Sequence, residues 1–263
     1  MNNFNFTFIL LVILLVINSS NSQVTEVWVA RYTGPGNSWD AAYDIATDNS
    51  GNVYVTGTSV EETGTVILTI KYSTDGVSQW VAKYPDAGSV GNGWGEAIAV
   101  DAYGNVYVIG WGGANNYNYI TIKYNNSGEI QWASEYDGPT NSDDQALAIA
   151  IDNSGNTYVT GASEGNGTDM DYATIKYNSL GVQQWAERYN GPGNSGDWAY
   201  SIAVDASGNV YITGNSVGSS SYSDYATVKY NSYGEEQWVS RYNGPVNAFE
   251  NVYSLTLDNS GNV

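Results

Sequence analysis

Tyr200-Ser201-Ile202-Ala203-Val204-Asp205-Ala206-Ser207-Gly208-Asn209-Val210-Tyr211-Ile212-Thr213-Gly214 is two short apolar runs joined by an Asp-x-x-Gly-Asn turn. Val, Ile, Tyr and Thr crowd both runs, which is the composition of a β-hairpin. The stretch recurs: the turn appears at Asp48, Asp101, Asp152, Asp205 and Asp258. Gln-Trp gives Trp80, Trp132, Trp185 and Trp238, spaced 52, 53 and 53 residues, and Trp28 lies 52 before Trp80. Lys-Tyr gives Lys71, Lys123, Lys176 and Lys229 in the same register. Three markers holding one period define a repeat architecture.

Four strands are legible in the clearest copy, at residues 200–205, 210–214, 225–231 and 237–242. Four short strands per repeat of about 53 residues is the pattern of a propeller blade, so the fold class is all-β, a β-propeller of four-stranded antiparallel blades. A parallel β-helix repeats at a much shorter period, and a sandwich need not repeat. The first strand, with Ala203 and Val204, suits the crowded centre. The fourth, with Trp238 and Arg241, suits an outer edge that must discourage edge pairing. The chain opens with an outer strand at residues 27–32, passes through four complete blades and adds an inner strand at 252–258. It stops inside a hairpin that the other copies complete, so the expectation is a fragment of a longer propeller, an open arc of about five blades.

Composition narrows the class. Gly reaches 30 residues, and 23 Tyr and 9 Trp far outnumber 4 Phe, as many short strands and tight turns require. There is no Cys and no His, which removes disulfides, the commonest general base and any Ser-His or Cys-His nucleophile. An apolar run from Phe8 to Ile17 is followed by Ser20-Asn21-Ser22, the pattern of a cleaved secretory signal, although Met1 to Thr7 holds no Lys or Arg. The expected division is a signal peptide at 1–22 and a propeller domain at 23–263, secreted or at the cell surface. No second apolar segment is long enough to span a membrane once the signal is removed. All eight basic residues fall on third and fourth strands, and the net charge is −19. An acidic surface of this kind disfavours nucleic acid and anionic lipid as partners.

The stretches Arg188-Tyr189-Asn190-Gly191-Pro192-Gly193-Asn194-Ser195, Ile202 to Tyr211 and Tyr225-Ala226-Thr227-Val228-Lys229-Tyr230 closely resemble the bacterial beta-propeller repeat family known as SBBP. The resemblance extends from residue 26 onward, and the second copy departs from it with Tyr84-Pro85-Asp86-Ala87-Gly88 where others read Tyr-x-Gly-Pro. The resemblance implies an extracellular or surface-attached propeller, and it implies no catalytic residue.

Candidate site residues follow from the loops. An EF-hand-type reading of the Asp turns needs a carboxylate eleven residues on, where Ser59, Gly112, Ser163 and Ser216 stand, so the turns are expected to be capped by their own Asp. The fourth-to-first and second-to-third connections are long and share one face, where binding usually resides. Trp39, Trp94 and Trp198 fall in the fourth-to-first loops with Phe249, and Trp111 opens a second-to-third loop. Asp40, Asp144, Asp197 and Glu250 each precede a turn Asp by eight residues, and Gly93 breaks the series. Aromatic platforms beside carboxylates suit a neutral sugar or an extracellular protein ligand. Oxygen ligands from several blades could instead hold Ca²⁺, and the bland alternative is that the tryptophans plug the channel mouth while the acids cap backbone groups. The expected function is a non-catalytic binding or scaffold module without a cofactor, in which Asp144 and Asp197 tolerate substitution in folding. A carboxylate-dependent glycoside hydrolase or lyase and a purely structural spacer are the alternatives.

Overall fold

The computed structural model describes residues 26–35, 38–62, 64–85, 92–220, 222–258 and 260–263. The expected signal segment, its cleavage site and Asp86 to Gly88 lie outside the described residues. Sixteen strands form four antiparallel sheets of four, each in sequence order. Blade 1 contains β1 (Asp40–Thr47), β2 (Val53–Glu61), β3 (Gly64–Tyr72) and β4 (Ser78–Tyr84). Blade 2 contains β5 (Asn92–Val100), β6 (Val106–Gly113), β7 (Asn118–Tyr124) and β8 (Ile130–Tyr136). Blade 3 contains β9 (Asp144–Ile151), β10 (Thr157–Glu164), β11 (Met170–Tyr177) and β12 (Gln183–Tyr189). Blade 4 contains β13 (Trp198–Val204), β14 (Val210–Val217), β15 (Ser223–Tyr230) and β16 (Glu236–Tyr242). First strands of successive blades pack on one another, β1 on β5, β5 on β9 and β9 on β13, so the small-residue strand is innermost.

The Asp turns cap themselves. Asp205 Oδ1 accepts the backbone N–H groups of Ser207 and Asn209 at 2.9 Å, and Oδ2 accepts Asn209 Nδ2 at 2.7 Å. Gly208 takes φ +78°, a conformation that a side chain would strain. Tyr211 OH closes the motif on Asp205 Oδ2 at 3.2 Å, and Tyr54, Tyr107 and Tyr158 do the same in their blades.

Those tyrosines begin the contact that joins blades. Lys71, Lys123, Lys176 and Lys229 lie 4.8–5.2 Å from the Tyr54, Tyr107, Tyr158 and Tyr211 ring centroids. Trp80, Trp132 and Trp185 tilt against the same rings at 6.1–6.3 Å. The indole N–H then reaches the next blade: Trp80 Nε1 donates to Asn126 O at 3.0 Å, and Trp132 and Trp185 donate to Ser179 O and Ser232 O at 3.2 Å. Beneath each ring lies the glycine of that turn. A Cβ on Gly128 or Gly181 would come within 2.8 Å of the indole above it.

The terminal strands expected at 27–32 and 252–258 take their places without forming strands. Trp28 Nε1 donates to Thr74 O at 3.0 Å over Gly76, the same seat that Trp80 takes on blade 2. Leu255 N donates to Ser201 Oγ at 3.2 Å, matching Ile98 N on Asp44 in the first junction. Each segment is held by the neighbouring blade, and among the described residues neither is paired in a ladder.

Replacing Trp132 by Ala removes this half-buried junction and should lower stability by about 2–3 kcal/mol. Equilibrium urea unfolding checks it, with Trp28→Ala expected to cost clearly less because only one terminal segment depends on it.

Candidate functional site

At the long-loop end of blades 3 and 4 one polar network crosses the whole blade. In blade 3, Arg188 on β12 donates to Asp171 Oδ2 at 3.0 Å and to Ser163 O at 2.5 Å. Ser163 in turn hydrogen-bonds the Asp144 carboxylate, whose Oδ2 accepts Gly138 N at 2.7 Å in the fourth-to-first loop. Blade 4 repeats it with Arg241, Asp224, Ser216 and Asp197, and Asp197 accepts Gly191 N at 2.5 Å and Val217 N at 2.9 Å. Asp144 and Asp197 are 1 % and 0 % exposed. Asp40 binds Gly34 N at 2.9 Å in the same way. Glu250 lies over Gly244, where an added Cβ would stand 2.3 Å from its Oε1.

These carboxylates staple loops to strands. The expectation that Asp144 and Asp197 can change without cost to folding is therefore corrected: each is a buried charge with several N–H or O–H partners, and removing a partner or the charge leaves the others unsatisfied. Burial pushes both carboxyls above the usual carboxylate range, opposed by the hydrogen bonds from Ser163 and Gly138 and from Ser216, Gly191 and Val217.

Blade 2 departs from this plan at every position at once. Register places Gly112 opposite Asn118, Ile120 opposite Glu135 and Gly93 opposite Gly112. The corresponding pairs in blade 3 are Ser163 with Asp171, Ala173 with Arg188 and Ser163 with Asp144. On the opposite face of this strand pair, one residue on from the network register, stands an aromatic cluster, where blade 3 has Gln145 with Ala162 and blade 4 has Trp198 with Asn215. Trp94 on β5 and Trp111 on β6 are cross-strand partners, stacked at 4.3 Å with 18° between planes. Tyr117 meets both edge-on, at 5.1 and 5.0 Å. Flanking glycines let the other face of this strand pair lie flat on blade 1, since a Cβ on Gly95 would meet Gly57 O at 2.7 Å. Blade 3 fixes Tyr117 from the other side: Tyr117 N donates to Asp143 Oδ1 at 3.1 Å and Asp144 N donates to Tyr117 O at 2.6 Å.

Glu96 completes the cluster. It occupies the β-bulge of β5, where the other blades carry Tyr43, Leu147 and Tyr200. Its carboxylate accepts Trp111 Nε1 at 2.9 Å. Burial pushes its pKa up, opposed by that hydrogen bond. Sequence reasoning missed Glu96 and Tyr117. The signal for Glu96 was present as a charge at a register otherwise held by large apolar or aromatic residues.

The other expected site residues stay apart. Trp94 and Trp111 lie within strands and Trp198 opens one, because the strands run further toward the long-loop face than their Val- and Ile-rich parts suggest. Trp39 is 52 % exposed just before β1. Phe249 pairs with Tyr222 at 4.8 Å near the far end of the arc. Among the described residues no three acidic side chains gather as a metal site.

Four successive four-stranded sheets joined edge-inward define a β-propeller-type repeat protein. A family model described as SBBP, beta-propeller repeat, matches this chain at residues 27–60 and 184–226. No curated protein matches it. Among solved structures, it is similar to a protein of unknown function from Bacteroides caccae (11 % identity, 82 % of this chain and 85 % of that one, TM-score 0.44). It is also similar to an α-L-arabinofuranosidase from Clostridium thermocellum (14 %, 77 % and 73 %, TM-score 0.43). A third is the periplasmic gluconolactonase of Pseudomonas aeruginosa (11 %, 76 % and 56 %, TM-score 0.47).

The pKa directions set a pH profile. Asp144 and Asp197 have raised folded pKa values, so their contribution to stability grows as pH falls through those values toward the ordinary unfolded value near 4. Burial alone would raise the turn residues Asp48, Asp152 and Asp205, but hydrogen bonds from Asn52, Asn156 and Asn209 hold them lowered. Their contribution is present above about pH 4 and is lost as pH falls below it. Melting temperature should therefore rise from pH 7 toward mildly acidic pH and fall steeply below about pH 4, as thermal scans across that range would show.

Proposed function

We propose that this chain is a secreted or cell-surface, non-catalytic binding module that takes a neutral glycan on the Trp94–Trp111–Tyr117 cluster of blade 2. The observation that carries this reading is a half-buried stack of two indoles with a phenol and a carboxylate beside it, in the blade that lacks all four members of the network of blades 3 and 4. Sugars stack their apolar C–H faces on indole rings, and their hydroxyl groups donate to carboxylates. Glu96 supplies the acceptor and Trp111 the platform. The net charge of −19 weighs against anionic ligands.

A hydrolase reading needs two carboxyl groups of unequal pKa facing one bond. Asp144 and Asp197 are both bound to loop N–H groups and serve the same role in successive blades, which favours a binding role over catalysis.

A glycan array probed with the purified chain, with Ca²⁺ and again with chelator, tests the proposal. Selective binding should appear in both conditions and weaken about tenfold or more in Trp111→Ala, the loss of about 1.4 kcal/mol. An array blank in both conditions would overturn the glycan reading and leave the chain as a spacer.

A further inference from the structure

An asparagine followed by glycine is open to attack by its own main chain, because the glycine has no side chain to hinder the approach of its nitrogen. The chain contains four such pairs: Asn92-Gly93, Asn166-Gly167, Asn190-Gly191 and Asn243-Gly244. Three of them are held. Asn92 and Gly93 lie in β5, where Asn92 Oδ1 accepts Thr65 N at 3.3 Å and Gly93 N donates to Thr65 Oγ1 at 3.2 Å. Gly191 N donates to the buried Asp197 carboxylate at 2.5 Å, and Asn190 Nδ2 donates to Asn194 Oδ1 at 2.8 Å. Asn243 Nδ2 donates to Asn247 Oδ1 at 2.9 Å, and Glu250 fills the space over Gly244. A nitrogen or an amide engaged in this way must give up its hydrogen bond before it can react.

Asn166 and Gly167 are not held. They form the exposed tip of the β10–β11 hairpin, whose ladder ends at Glu164 opposite Met170. The loop is closed by Gly165 N on Asp169 O at 3.0 Å. Among the described residues neither the Asn166 side chain nor the Gly167 N–H has a hydrogen-bond partner. Gly167 takes φ +84°, and apart from its chain neighbours nothing lies within 4 Å of the place a Cβ would occupy. Blade 4 has a hairpin of the same length with Ser219-Ser220 at this register, so the fold does not demand Asn-Gly here.

We propose that Asn166 is a self-modification site, deamidating on the folded protein ahead of the other three Asn-Gly pairs. Gly167 N attacks Asn166 Cγ and closes a succinimide ring. Nδ2 departs as ammonia and carries off the Gly167 amide proton. Water then opens the ring at Cγ to give Asp, or at the main-chain carbonyl carbon of residue 166 to give isoaspartate. Water is the one co-reactant, and no electron is transferred. The product places a carboxylate in the loop between Glu164 and Asp169, on a chain whose net charge is already −19. Isoaspartate also lengthens the main chain beside Thr168, whose Oγ1 donates to Asp171 Oδ2 at 3.1 Å in the blade 3 network. This inference does not depend on what blade 2 binds.

Peptide mapping by mass spectrometry, after incubation of the purified folded chain at mildly alkaline pH, tests it. Conversion at Asn166 should run at least about tenfold faster than at Asn92, Asn190 or Asn243, a barrier difference of about 1.4 kcal/mol. Asp and isoaspartate peptides should both appear, and a more acidic species should grow in step on anion exchange. Asn166→Ser, which copies the blade 4 hairpin, should remove that species and keep the native circular dichroism. In the urea-unfolded chain the other three sites should draw level with Asn166, because the contacts that hold them are gone. An Asn166 that stays intact when folded but converts in urea, equal rates at all four sites in the folded chain, or the same ranking in urea would each overturn the proposal.

Discussion

One carbonyl in each third-to-fourth turn ties a blade to its predecessor. Asn126 O accepts Trp80 Nε1 at 3.0 Å and Lys71 Nζ at 3.4 Å, and Ser232 O accepts Trp185 Nε1 at 3.2 Å and Lys176 Nζ at 3.0 Å. The turn needs glycine at positive φ, and the indole lies on that glycine because it has no side chain. The lysine also covers the tyrosine that caps the preceding Asp turn. Five residue types thus constrain one another across two blades. The indole reaches 46 or 47 residues ahead, so an insertion inside a blade would carry the acceptor out of range. The fixed spacing of the markers is the trace of that contact in the sequence.

The same contact explains the charge distribution. The third-strand lysines lie on tyrosine rings, and Lys71, Lys123 and Lys176 also reach next-blade carbonyls. Arg188 and Arg241 form partly buried ion pairs with Asp171 and Asp224, and Lys83 pairs with Glu61 at 2.7 Å. Seven of the eight cations therefore serve structure from strands. The resulting field repels anions whatever the ligand is, and it weakens as salt is added.

Reading the chain from its residues recovered what local chemistry controls. Asp-x-x-Gly-Asn specifies its own turn, and the Trp and Ala-Val strands declare outer and inner places. Strand limits at the long-loop end were hidden, because Gly93, Gly95, Gly110 and Gly112 read as loop. Here glycine serves close approach between blades, a property that appears only when the neighbouring blade is in place. The carboxylates at Asp144 and Asp197 were misread for a related reason. Their partners Gly138 and Gly191 lie six residues upstream across a loop, and nothing local indicates that the loop folds back to bury them.

Blade 2 shows why the departure is informative. Blade 1 keeps part of the network, with Asp40 and Ser59 in place but Val66 at the register of Asp171 and Lys83 at that of Arg188, and there the cation pairs with Glu61 instead. Blade 2 lacks all four, with Glu135, Gly112, Asn118 and Gly93 in their register. On the other face of the same strands, blade 2 places two indoles and a phenol at the rim and puts Glu96 where other blades carry large apolar or aromatic side chains. A surface of this composition, confined to one blade, is the physical case for placing the ligand there.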